Sequence, residues 1–255
     1  MTATLISEAV VLRLVTTGEA DRVVTLYTRA RGKVAAVAHG AVKSRRRFGA
    51  ALAPYVLGEA TLREKGGREL LVLERFDARR DFSGRLSDPV RMGHAAYGTE
   101  LVRELTPAHQ EDPALLDLLV ELYEVVVECE PRAETLRAFE LRLLDALGLR
   151  PVLDRCLGCG VSSQAVLDEP GTVLDPDRGG LVCGRCGTLG DGVRPLPAWA
   201  RARLVELEDL ALREAAALER SPSEITVACR EVLHATLRTH LRSPLKSLDF
   251  LSKLK

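Results

Sequence analysis

Asparagine is missing from all 255 residues, and lysine is scarce, at six against thirty arginines. One tryptophan, five phenylalanines and four tyrosines supply every aromatic ring. So few rings argue against a surface that reads bases one by one through stacking, because each stacked base needs its own ring. No apolar run approaches the ~18 residues that span a bilayer, and Glu8 stands where a secretory leader would need its apolar core. The expectation is a cytoplasmic, nucleoid-associated protein without membrane contact, whose thiols stay reduced. Catalytic fingerprints are also missing: there is no G-x-x-x-x-G-K-[ST], no G-x-G-x-x-G after a strand, no H-E-x-x-H and no G-x-S-x-G. The five histidines are scattered, and His234 and His240, on one predicted helix, have no matching carboxylate motif. The chain therefore reads as a non-enzyme.

The formal charge of +0 hides a strong polarity. Residues 1–80 carry fifteen Lys or Arg against eight Asp or Glu (+7), 81–130 carry three against eleven (−8), and 131–255 carry eighteen against seventeen (+1). A basic end beside an acidic middle points to nucleic acid at the basic end. Arginine abundance alone says less, since a genome-wide codon bias produces it as readily as a phosphate partner does. The acidic stretch Glu111 to Glu130 reads most simply as the solvated face of a helix.

Within the basic end, Leu5 to Val15, Arg22 to Tyr27, Lys33 to Ala38, Tyr55 to Leu62 and Glu69 to Phe76 are rich in Val, Leu, Ala and Tyr, and several alternate apolar with polar. Gly18, Arg31-Gly32 and the Gly66-Gly67 pair mark turns between them. Five strands with a longer link over 40–54 fit a small Greek-key barrel of the OB type, with an SH3-like barrel as the alternative. That link carries Lys43, Arg45, Arg46 and Arg47, and no acidic residue lies between Gly40 and Gly58. Lys33 and His39 lie a strand away, and Arg63, Lys65 and Arg68 lie near the Gly66-Gly67 tip. These nine are the candidate DNA-binding residues, although a surface loop is commonly charged for solubility alone. Phe48 and Tyr55 are either stacking surfaces or core residues.

After Phe82 the periodicity becomes helical. Asp88-Pro89 and Asp112-Pro113 each read as an N-cap followed by proline at the first helical position. The first helix should reach Leu105, and the second carries Leu115, Leu116, Leu119, Leu122, Tyr123 and Val126 on one face. A third helix over Glu134 to Leu147 should end at Gly148. A fourth is expected over 198–219, and Ser221-Pro-Ser-Glu224 has the form of a capping box before a helix to Leu241.

Between the third and fourth helices come Cys156-Leu-Gly-Cys159-Gly and Cys183-Gly-Arg-Cys186-Gly. Two C-x-x-C turns in a reduced compartment give four thiolates for one tetrahedral metal, and a glycine after each second cysteine permits the tight turn. Zinc is the expected ion, in a structural role because four sulfurs leave no open position for water. A small hairpin around Asp175 to Gly180 would absorb the intervening length, and the metal would supply much of the folding energy of so apolar-poor a segment. A redox or disulfide role is the alternative. Cys129 and Cys229, alone on predicted helices, read as small buried hydrophobes. The fold class is thus α+β and multidomain. An OB-type β-barrel (1–80) precedes a helical bundle (81–150 and 195–255), into which a four-cysteine, zinc-ribbon-like module (151–194) is inserted.

Gly18-Glu-Ala-Asp-Arg-Val-Val-Thr-Leu26, Gly32-Lys33 with Ala38-His-Gly-Ala41, the basic run, Pro54, the paired C-x-x-C and Arg242-Ser-Pro-Leu-Lys-Ser-Leu-Asp-Phe-Leu251 occur in this order along nearly the whole chain. Together they resemble the RecO family of bacterial recombination mediators. The resemblance implies binding of single- and double-stranded DNA and annealing of complementary strands. It also implies joint action with RecR to load RecA on DNA coated by single-strand-binding protein. Two other readings stay open at this point: a zinc-ribbon interaction or transcription-associated protein, and a metal-dependent nucleic-acid enzyme.

Overall fold

The computed structural model describes residues 4–44, 47–48, 52–64, 70–187 and 192–254. Five strands, β1 (Thr4–Thr17), β2 (Asp21–Thr28), β3 (Gly32–Ala38), β4 (Val56–Arg63) and β5 (Leu71–Asp81), close into a barrel in the order β1-β2-β3-β5-β4. All neighbours are antiparallel except β3 and β5, which pair in parallel. This is the OB-type Greek key. Alternation explains why these sequences close: Val24, Leu26, Val34, Ala36, Ala38, Ala60, Leu62, Leu71 and Leu73 point inward and are buried. Small alanines on β3 and β4 leave room for Phe48 and Phe76 in the same core.

The helices are α1 (Pro89–Leu105), α2 (Pro113–Glu128), α3 (Ala133–Ala146), the single turn α4 (Gln164–Leu167), α5 (Ala198–Glu208), α6 (Leu212–Ala217), α7 (Ser223–His240) and α8 (Lys246–Ser252). Three short strands, β6 (Val173–Asp175), β7 (Gly180–Val182) and β8 (Arg194–Pro195), form a separate sheet. Contacts divide the chain into two compact units, Met1–Glu128 with Leu245–Lys255, and Cys129–Pro244. In the first unit, α1 packs on α2, α8 and β1, and α2 packs on β2. In the second, α3 packs on α5, α6 and α7 around buried Phe139, Leu143, Leu144, Leu204, Val232 and Leu233. Among the described residues no helix is long and apolar enough to cross a membrane.

The capping expectations have mixed outcomes. Asp88 Oδ1 accepts from the Val90 and Arg91 amides at 3.0 and 2.9 Å, and Asp112 Oδ1 accepts from Ala114 at 3.0 Å. At the end of α3, Gly148 N–H bonds to Asp145 O and Leu149 N–H to Leu144 O, the paired bonds of a Schellman stop. Ser221 does not cap α7, whose N-cap residue is Pro222 and has no side-chain bond. Its amide instead donates to Glu134 Oε1 (2.8 Å) and its hydroxyl accepts from Arg203 (3.0 Å), which fixes the entry to α7 from two other helices. The helix expected over 198–219 is broken between Asp209 and Ala211, where Glu214 reaches back to the Ala211 amide at 2.9 Å. Helix α8 went unread, and it has no side-chain cap of its own. The Glu100 carboxylate supplies one from α1, accepting from Ser247 N–H (2.8 Å) and Oγ (2.6 Å).

Candidate nucleic-acid interface and metal centre

The basic link between β3 and β4 is folded onto one mouth of the barrel. Val42 N–H donates to Ala20 O in the β1–β2 turn (3.1 Å), Gly40 N–H to Asp21 Oδ1 (2.8 Å), and Phe76 N–H on β5 to Arg47 O (3.0 Å). Ala41, Phe48 and Leu52 enter the barrel core, Phe48 with only 1% of its surface exposed. The loop is therefore plugged in by its apolar residues while Lys43 and Arg47 stay exposed. Arg45 and Arg46, and Lys65, Arg68 and the Gly66-Gly67 tip, lie outside the described residues.

The other candidates sort by what they touch. Lys43 has no ion-pair partner among the described residues. Arg47 donates to His39 O (2.6 Å) and Ser44 Oγ (3.2 Å) and lies 5.1 Å over the Phe48 ring, leaving its charge unneutralised. His39 Nδ1 is 2.8 Å from Asp21 Oδ2. The Gly40 amide first, and then His39, hold the Asp21 carboxyl below the usual carboxylate range. Lys33 is half-buried, and its ammonium donates at 2.5 Å to Arg103 O near the C-terminal end of α1, a helix-end role that points it away from a phosphate-binding one. Arg63 is paired with Glu74 at 2.5 Å.

Much of the barrel's positive charge is met internally. Arg29 pairs with Glu8 and Asp117, Arg31 with Glu64, Arg75 with Asp77, Arg79 with Glu59, and Arg80 with Glu124. Asp117 and Glu124 belong to α2, so the acidic middle of the chain is in part the barrel's counter-charge and not merely a solvated face. Among the described barrel residues, Arg13, Arg22, Lys43 and Arg47 have no acidic partner. Arg13 and Arg22 went unread because each stands alone among strand residues; a register shift between Val11 and Arg13 turns Arg13 outward. Phe48 and Tyr55 are not stacking surfaces. Phe48 is core, and Tyr55, half-buried at φ 67°, meets the Tyr123 ring edge-on at 5.7 Å.

In the second unit the four cysteines come together. Their sulfurs all lie within 4.8 Å of one another, and Cys159 Sγ and Cys183 Sγ are 3.8 Å apart. A tetrahedron with metal–sulfur bonds of ~2.3 Å has edges of ~3.8 Å, so the donor set fits a metal ion of zinc's size. Each turn closes on its first cysteine: Gly160 N–H bonds to Cys156 O and Gly187 N–H to Cys183 O, with φ of 73° and 50° at the two glycines. These values lie in the left-handed region that glycine enters without steric cost. Burial opposes ionisation of Cys156, but amide donors from Cys183, Cys159 and Gly158 outweigh it and lower its pKa to about 6. The hairpin expected near Asp175 is β6–β7, and Asp175 Oδ1 accepts from Asp177 and Arg178 to shape its turn. Arg201, unread in the sequence and only 4% exposed, ties α5 to this module through Asp168 (2.8 Å) and Leu153 O (3.3 Å). Cys229 is buried as expected, whereas Cys129 is half-buried.

Two family models match the chain: Recombination protein O N terminal over residues 1–82, and Recombination protein O C terminal over 86–249. The DNA repair protein RecO of Anaeromyxobacter dehalogenans strain 2CP-C is 42% identical over 245 residues, covering 96% of this chain and 94% of that protein. That of Symbiobacterium thermophilum is 36% identical over 249 residues, covering 97% and 96%. That of Geobacter metallireducens is 33% identical over 255 residues, covering 98% and 97%. With both family models matched in order and relatives similar from end to end, the chain belongs to the recombination protein O family.

Proposed function

We propose that this chain is a DNA-binding recombination mediator that anneals complementary strands and takes no part in covalent chemistry. The observation that carries the reading is the loop of residues 40–48. It is plugged into a barrel mouth by Phe48 yet leaves Lys43 and Arg47 outside without acidic partners. Cations held on a fixed support neutralise phosphates of two strands at once, which lowers the repulsion between them and lets their bases pair. Lys43, Arg45, Arg46 and Arg47 are the first contacts, with His39, Lys65 and Arg68 extending them along single- or double-stranded DNA. Lys33 and Arg63, bound to partners within the barrel's own unit, contribute little.

The Cys156, Cys159, Cys183 and Cys186 thiolates hold a structural zinc that folds the module. The protein works in the cytoplasm at the nucleoid with RecR and single-strand-binding protein, and through them on RecA. The test is annealing of complementary strands coated with single-strand-binding protein, with and without RecR, for the unmodified chain and for Lys43, Arg45, Arg46 and Arg47 changed together to Ala. The variant should bind single strands more weakly, with a salt dependence flatter by ~0.7 log units per lost phosphate contact. Unchanged binding removes the loop from the reading, and metal-dependent cleavage of DNA by the pure protein removes the mediator function.

A further inference from the structure

The four sulfurs of the cysteine module are not held alike. Cys156 and Cys183 are buried, whereas Cys159 and Cys186 are exposed. Cys156 Sγ accepts from the Gly158 and Cys183 amides, both at 3.3 Å, and Cys159 Sγ lies 3.8 Å from Cys183 Sγ. Cys186 Sγ has no amide donor among the described residues. What stands against it is Gly158. A Cβ on Gly158 would lie 2.8 Å from Cys186 Sγ, 3.0 Å from Cys186 Cβ and 3.6 Å from Cys156 Sγ. Non-bonded heavy atoms settle at about 3.5–4.0 Å, so the first two contacts are too short to keep.

Backbone conformation does not call for glycine at this position. Gly160 and Gly187 have positive φ, and a Cβ on either would meet nothing within 4 Å. Gly158 is the reverse case, with no positive φ and no room. Both turns are also tied down. Leu157 N–H donates to Leu181 O (2.8 Å) and Gly160 N–H to Cys156 O (2.9 Å) in the first, and Cys186 N–H donates to Cys183 O (3.0 Å) in the second. A Cβ on Gly184 would meet Pro170 O at 2.6 Å, so the second turn is packed closely against the chain beside it. With both backbones pinned, the soft coordinate is the Cys186 χ1 torsion. It moves between staggered wells rather than by small steps, and leaving its present well carries the sulfur away from the other three.

Resting on the metal-binding role proposed above for the four cysteines, we infer that Gly158 is a positioning residue that keeps the centre closed. Its missing side chain leaves the space in which Cys186 Sγ completes the donor set. A single methyl group at residue 158 turns that sulfur out and leaves Cys156, Cys159 and Cys183 in place. Four sulfurs make a closed structural site, whereas three leave a position open to solvent. Glycine at residue 158 therefore decides which of the two this module carries, and it does so through Cys186, the one sulfur that no amide holds.

The test is made on the full chain with Co²⁺, whose thiolate charge-transfer absorption grows with the number of sulfurs bound. Gly158→Ala, Cys186→Ser and the double variant are titrated beside the unmodified chain, and each loaded protein is then treated with iodoacetamide and mapped by mass spectrometry. The unmodified chain should give the four-thiolate spectrum with all four cysteines protected. Gly158→Ala should bind about 10–100-fold more weakly, give the spectrum of Cys186→Ser, and be alkylated at Cys186 alone among the four. Cys186→Ser and the double variant should match each other in spectrum and affinity, because the methyl group has nothing left to displace. The inference is overturned if Gly158→Ala keeps the four-thiolate spectrum, or if a different member of the four is alkylated. It is also overturned if Gly158→Ala and the double variant bind no metal while Cys186→Ser does, since the methyl group then breaks the whole turn. Those outcomes leave the metal centre standing, whereas failure of the unmodified chain to bind one metal ion through its cysteines overturns both.

Discussion

The basic loop of residues 40–48 and the cysteine module between α3 and α5 are both largely irregular stretches attached to regular units, and they are held in place differently. The loop is fixed by burial: Ala41, Phe48 and Leu52 enter the barrel core, and two backbone–backbone hydrogen bonds, with a third from the Gly40 amide to the Asp21 carboxylate, tie the loop to neighbouring strands and turns. Of its described cations, Arg47 braces the loop from within through His39 O and Ser44 Oγ, and the Lys43 ammonium has no ion-pair partner among the described residues. The module places its reactive groups at the centre, where four sulfurs lie within 4.8 Å of each other, a set that would anchor the segment on binding a metal ion. A charge on a well-anchored loop is available to bind, whereas a thiolate that anchors its own segment is already committed. Under the proposed function, recognition falls to the loop and architecture to the cysteines.

Removing a sulfur should break that contrast most visibly. Structural zinc contributes apparent free energies of ~10–16 kcal/mol in isolated fingers. Here part of the module is also supported by buried Leu174, Leu181 and Arg201, so only local unfolding is expected. Cys156→Ser should abolish stoichiometric metal and open residues 150–190 to protease, while barrel-dependent DNA binding changes little. Lowering the pH acts in the same direction, because each sulfur must be deprotonated to bind metal. Total loss of DNA binding on removal of the metal would make the module, and not the loop, the contact surface.

The corresponding change in the loop is Phe48→Ala. Emptying a fully buried phenylalanine site costs ~3–5 kcal/mol, and in this position it also releases the anchor that presents Lys43 and Arg47. Urea denaturation should show that loss in the barrel, and DNA affinity should fall although no cation has been removed. A variant that is destabilised but binds DNA normally would show that the cations act without fixed placement.

A third mode of holding lies between these two. The C-terminal helix α8 is capped by one carboxylate, Glu100, whose side chain is 11% exposed and also pairs with Arg103 at 3.1 Å. Burial raises its pKa, but donors from Ser247 and Lys246 outweigh that and leave it lowered. A depressed carboxylate stabilises fully above its ordinary titration range, near pH ~4.3, and the contribution is lost as pH falls through the lowered value. Glu100→Gln should therefore cost ~1.5–3 kcal/mol at neutral pH and flatten the acid limb of the stability curve. Urea melts at pH 7 and below pH 4 measure both.

How much of this was legible in the sequence follows from the kind of constraint involved. Cys156, Cys159, Cys183 and Cys186 were readable because metal geometry allows few spacings, and the strands were readable because alternation repeats every two residues. Asp88 and Asp112 were readable because a cap acts within three residues of itself. Ser221 carried the same local signature, but its amide and hydroxyl are taken by Glu134 and Arg203 from distant parts of the chain, and no local pattern encodes that. The same limit applies to Glu100 and α8, which are 147 residues apart at the bond that joins them. For the cations, composition gave the total but not the internal pairing. Only the fold shows that Arg29 and Arg80 face acids of α2 while Lys43 does not.

That pairing yields the finest test of what the charges do. Arg63 and Lys43 were equal candidates by sequence, yet Arg63 is bonded to Glu74 at 2.5 Å with both side chains more than a third exposed. An exposed pair of this kind is worth at most ~1 kcal/mol, so Arg63→Gln should shift the melt barely at all. Its charge is already answered by a neighbour, and the slope of DNA affinity against salt should stay the same. Lys43→Gln should be equally silent in stability, because nothing described within the protein depends on that ammonium, but should flatten the slope by ~0.7 log units if it holds one phosphate of a single strand. Two substitutions that each remove one positive charge from one barrel would then differ only in the salt series. If the two slopes fall equally, net charge governs binding and the anchoring of the loop is irrelevant to it.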